Sequence, residues 1–136
     1  MGDQPLSIFQ VSGRAMSAQL VRMNTTASNL ANAGTVASSP GAAYRTMKPV
    51  FRTHFDEASG MSTVDVESIV TAGADPTKRY DPGNPMADKD GNVWESSVNE
   101  TQELVDMMET ARSYQNNVEV MQTAKQLIID TIKMGR

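Results

Sequence analysis

The chain has 136 residues, a hydrophobic fraction of 39%, an aromatic fraction of 5% and a formal net charge of −4. That bounds it to at most one ordinary domain, lean in the large side chains that fill a compact core. An acidic balance without a basic patch disfavours nucleic acid as a partner, and the absence of cysteine removes both a disulfide framework and thiolate chemistry.

The first residues, Met1 to Val11, carry no basic region followed by a continuous apolar run, so no cleaved secretory signal is expected. Leu6 stands where a myristoylation pattern needs Ser or Thr. No apolar run approaches the ~18 residues of a membrane span, so no membrane insertion is expected. Residues 1–7 are expected to be disordered. A helix is predicted from Ser7 to Asn32, because Phe9, Gly13, Met16, Leu20, Met23, Ala27 and Leu30 advance in steps of four and three, the seam of a heptad. Gly13 weakens its first turns by roughly 1 kcal/mol against Ala. Ala15, Ala18, Ala27 and Ala31 keep one side thin enough for close helix approach. Gly34 is expected to stop the helix as a left-handed residue just past its end.

Ala33 to Ala43 is read as a loop, rich in Gly, Ser and Pro. Strands are predicted at Pro49–Phe55, at Ser62–Thr71, where Val64 and Val66 alternate with charged neighbours, and at Thr77–Tyr80. Ile69 and Val70 break the alternation of the second. Tyr80 to Trp94 reads as a turn-rich loop with a hairpin signal at Asp90-Gly91.

The last forty residues are the strongest pattern. Leu104, Met107, Ala111, Tyr114, Val118, Met121, Lys125, Ile128 and Ile132 again step three and four, and Lys125 alone is not apolar. No proline follows Pro85 and no glycine lies between Gly91 and Gly135, so one uninterrupted helix is predicted from Ser97 to Met134. It would be about 55 Å long. The predicted fold class is therefore mainly α: long N- and C-terminal helices paired as a coiled coil, with a small loop-rich β insert between them. The expected division is residues 1–35 as an N-terminal arm, 36–96 as the insert and 97–136 as the C-terminal helix, the two arms forming one helical domain.

No catalytic constellation survives inspection. Asp88, Asp90 and Asn92 have the opening spacing of a calcium loop, but Val93 and Asn99 stand where glycine and glutamate are required, so the stretch is read as a hairpin turn. His54 is a lone histidine without cysteine partners and is read as a surface residue of a strand. The glycosylation patterns at Asn24 and Asn99 fall on or beside predicted helices and are read as coincidental. No enzyme, metal, cofactor or small-molecule substrate is expected. What remains is the seams, whose large members are Phe9, Met16, Leu20, Met23, Leu30, Leu104, Met107, Tyr114, Val118, Met121, Ile128 and Ile132. Burying these against one another leaves little margin over the entropy of ordering roughly sixty helical residues. The helices would gain more by packing on neighbouring chains, and head-to-tail packing without closure yields a helical tube.

Two stretches carry a family resemblance. Asn24-Thr-Thr-Ala-Ser-Asn-Leu-Ala-Asn-Ala-Gly-Thr35, with Asn29, Leu30, Asn32 and Thr35, resembles the N-terminal signature of bacterial flagellar rod and hook proteins. Arg112-Ser-Tyr-Gln-Asn-Asn-Val-Glu-Val-Met-Gln-Thr-Ala-Lys125, with Arg112, Tyr114 and Asn117, resembles their C-terminal signature. The loop from Tyr80 to Gly91 and the short length are similar to the proximal-rod members. The resemblance implies a structural subunit of the basal-body proximal rod, its paired arms a D0-like domain inside the tube and its insert outside. Implied partners are copies of itself, other rod subunits, MS-ring and rod-junction proteins, and the flagellar type III export apparatus. The implied place is the periplasmic rod, reached without signal cleavage, where a chain without cysteine suits an oxidising compartment. A B-type proximal rod subunit would share the signatures but lack the Tyr80 to Asp90 loop. A cytosolic coiled-coil adaptor would share the heptads but form a closed oligomer.

Overall fold

The computed structural model describes residues 7–135. Its elements run α1 (Ile8–Ala31), β1 (Val36–Ala37), β2 (Met47–Asp56), β3 (Met61–Thr71), β4 (Thr77–Tyr80), β5 (Asn92–Glu95) and α2 (Glu100–Met134). The expectation of disorder for residues 1–7 lies outside the described residues except at Ser7, which caps α1. There the Ser7 hydroxyl accepts the Gln10 N–H at 3.3 Å while the Gln10 side chain accepts the Ser7 N–H at 2.9 Å, a reciprocal capping box. α2 begins on Asn99, whose side chain accepts the Gln102 N–H at 3.1 Å, so the asparagine of that glycosylation pattern is a helix cap. Glu100 and Glu103 in its first turn and Lys133 in its last complement the helix dipole.

The fold is not mainly α with a minor insert. Strand makes up 24% against 46% helix, arranged in antiparallel sheets. β2 and β3 form a two-stranded hairpin of 10 and 11 residues, and β1, β5 and β4 form a second sheet in that order. The hairpin gives a weak signal in sequence because its pattern is interrupted. Val50 pairs with Ser68 but Phe51 pairs with Val66, leaving Glu67 as an extra residue. This β-bulge shifts the parity of β3, so that Val64, Val66 and Ile69 share one face although their spacing in sequence does not alternate. β1, only two residues long, gives no pattern to read, and β5 lies hidden behind a turn-rich loop.

The helix stop also differs from expectation. The described glycines with positive φ are Gly60, Gly73 and Gly91, so Gly34 is not a left-handed cap. Asn32 ends α1 instead, its side-chain amide donating to the Ser28 carbonyl at 2.9 Å while Thr35 donates its hydroxyl to the Asn32 carbonyl at 2.8 Å. In the loop between β4 and β5, one Asp88 carboxylate oxygen accepts the N–H groups of Asp90 and Asn92 at 2.9 and 2.8 Å. The acidic spacing there closes a turn. Val93 of β5 is fully buried, and Lys78 lies over the Trp94 ring at 5.9 Å.

The two helices run antiparallel. Arg22 faces Asp106 and Glu109 at 3.7 and 3.9 Å, while Ile8 lies with Val120, Ala124 and Leu127. α2 has 35 residues against 24 in α1, so beyond Leu127 it extends past the first turn of α1. No helix among the described residues is long and apolar enough to cross a membrane. The β2–β3 hairpin lies along α1, where Arg14 reaches Thr63 and Asp65 at 3.5 and 3.4 Å. An isolated hairpin is marginal in water, and this packing along α1 supports it.

Gly91 and Gly34 separate the two accounts of the glycines. Gly91 has φ 79° and an added Cβ would meet Tyr80 at 3.0 Å, whereas nothing lies within 4 Å of a Cβ at Gly34. Gly91→Ala is expected to destabilise by about 1–3 kcal/mol and Gly34→Ala to stay within about 0.5 kcal/mol of wild type. Urea unfolding followed by circular dichroism checks both, and equal losses would contradict this assignment of backbone strain.

Candidate functional site

The residues that meet at the end of the helix pair form a single polar hub. Asn29, on the last turns of α1, is 1% exposed. Its amide nitrogen donates to the Met47 carbonyl at 2.8 Å and to a Glu103 carboxylate oxygen at 3.0 Å. Its amide oxygen accepts the Met47 N–H at 2.9 Å and the Tyr44 hydroxyl at 2.7 Å. A primary amide has two donors and accepts at two lone pairs, and all four are used. Toward Met47 the side chain presents the same donor and acceptor pair that a neighbouring strand would, and so continues the edge of β2 into α1. The phenol has one proton and gives it to Asn29, so the Ser28 hydroxyl at 3.2 Å donates to the Tyr44 oxygen. The hub thus joins α1, the loop before β2, the first residue of β2 and α2.

Glu103 is 3% exposed, a nearly buried carboxylate in the first turn of α2. Beside it, Arg22, Lys48 and Asp106 line a cavity of about 220 Å³, where Lys48 lies 3.4 Å from Asp106. These charges pair with one another, and the cavity contains no arrangement of base, nucleophile and oxyanion donor. Ala72 donates its N–H to the Thr46 carbonyl at 2.7 Å, tying the end of β3 to the residue before β2. The base of the hairpin is therefore fixed from both strands.

The helix interior is small and polar. The buried helical residues are Ser12, Ala18, Thr25, Thr26 and Asn29 on α1, with Glu103 and Thr110 on α2. Glu103 and Thr110 head a column at seven-residue spacing that continues through half-buried Asn117 and Ala124. It lies one residue before the column Leu104, Ala111, Val118 and Lys125. On α1 the same one-residue offset separates Ser12, Gln19 and Thr26 from Gly13, Leu20 and Ala27. One residue is a rotation of about 100° on a helix. In an antiparallel pair the two rotations open the same side.

Of the seam residues named from sequence, Phe9, Met16, Met23, Leu30, Met107, Tyr114, Val118 and Met121 are half-buried, and Leu20, Leu104, Ile128 and Ile132 are exposed. Among the signature residues, Asn29, Leu30, Asn32 and Thr35 gather at the hub end of α1. Arg112, Tyr114 and Asn117 lie on the middle of α2, where Asn117 donates to the Ser113 carbonyl at 3.1 Å and Arg112 is exposed. The two groups are not brought together. Sequence reasoning missed Tyr44 and Glu103. A glutamate four residues after a helix cap looks like first-turn charge, and only the antiparallel register places it opposite Asn29.

Asn29→Ala would leave a buried carboxylate, a backbone N–H, a backbone carbonyl and a phenol without their partner. We expect a loss of about 3 kcal/mol or more in urea unfolding. Glu103→Gln keeps an acceptor for Asn29 and should cost about 1 kcal/mol. A double-mutant cycle giving no coupling between the two positions would contradict the hub.

Comparison with known proteins places both ends of the chain in one group. The family profile described as "Flagella basal body rod protein" matches residues 9–36, and that described as "Flagellar basal body rod FlgEFG protein C-terminal" matches residues 89–134. The chain is 41% identical over 133 residues to the flagellar basal-body rod protein FlgC of Salmonella typhimurium, covering 96% of this chain and 98% of that protein. It is 38% identical over 131 residues to the FlgC of Escherichia coli O6:H1, with the same coverage. It is 35% identical over 132 residues to that of Agrobacterium fabrum, covering 96% of this chain and 95% of the relative.

Proposed function

Given that the chain belongs to the FlgC family of flagellar basal-body rod proteins, a structural subunit rather than an enzyme, we propose that it builds the proximal rod by polymerising through its terminal helices. The observation that carries this reading is the inverted distribution of side chains on the helix pair. Ser12, Thr25, Thr26, Glu103 and Thr110 are buried while Leu20, Leu104, Leu127 and Ile132 are exposed. A helix pair that ended its assembly as a monomer would carry the large apolar side chains inside.

In this reading residues 1–35 and 97–136 act as one D0-like helical unit in the tube wall, and residues 36–96 face outward onto adjacent subunits. The assembly surface comprises Phe9, Met16, Leu20, Met23 and Leu30 on α1, with Leu104, Met107, Tyr114, Val118, Met121, Ile128 and Ile132 on α2. The half-buried members contribute to pairing within the chain and the exposed ones to contact between chains. The tube joins the MS ring and its junction proteins to the distal rod and transmits torque. The chain reaches the periplasm through the flagellar type III export apparatus without signal cleavage, and a thin polar interior suits a subunit that folds on joining the assembly. A cytosolic adaptor has no support once the family is known, and a B-type subunit is disfavoured by near-full-length similarity to FlgC proteins.

Electron microscopy of basal bodies from a strain lacking the gene should show MS rings without a rod. Complementation with the wild-type gene should restore rods and motility, and Met121→Asp or Val118→Asp should restore neither. Complete rods and hooks in the deletion strain would end the proposal.

A further inference from the structure

We draw no further inference here: the strongest candidate, the open apolar groove of about 520 Å³ where exposed Ile8 of α1 meets exposed Val120 and Leu127 of α2, is an unpartnered surface of the helix pair, and nothing in the structure shows what covers it.

Discussion

Four hydrogen bonds from one side chain decide how this chain is arranged. The Asn29 amide reaches backbone on β2, the phenol of Tyr44 and the carboxylate of Glu103, and so ties four separate parts of the chain together at one point. Hydrophobic attraction is non-directional and would tolerate sliding of α1 along α2. A fully satisfied amide does not, because displacing it leaves several buried groups unpaired at once. The hub therefore sets the register of the helices and the origin of the hairpin together, and the ion pairs of Arg22 with Asp106 and Glu109 lie in the same register.

That constraint accounts for the sparse interior elsewhere. Among the described residues the largest fully buried side chains are Val93, Asn29, Thr63 and Thr110, a set in which polar groups outnumber apolar ones. Close approach of the helices is permitted by Ala18, Ser12 and Thr110 rather than driven by interlocking leucines. Large apolar residues are then left for surfaces that the single chain does not cover. A rod-family chain assembles with other rod components, and such surfaces are the ones an assembly covers.

Both long helices are legible because nothing in their sequences interrupts a heptad, and the strands at 47–56, 61–71 and 77–80 are legible within a few residues. What escapes is the weight of the sheets and the inward face. Periodicity identifies a stripe by its apolar members, so Leu104, Ala111 and Val118 draw the seam. The deepest residues, Glu103 and Thr110, are polar and give no such signal. Their burial depends on partners more than seventy residues away in the case of Glu103 and Asn29, which no local window contains. The family signatures, in contrast, are readable as strings and locate Asn29 without revealing what it holds.

The bulge in β3 has a consequence for chain length. Because Glu67 opposes no residue of its own on β2, its deletion would leave Val50 opposite Ser68 and Phe51 opposite Val66, every cross-strand partner as it was. The cost would be the Arg52–Glu67 ion pair and some local twist. A deletion anywhere from Ser62 to Asp65 would instead turn the tip-ward part of the strand over, exposing the face that now looks toward α1. Among relatives of this chain, single-residue length variation in the hairpin should therefore be accommodated at this one position, with the outer surface free to change and the base left untouched.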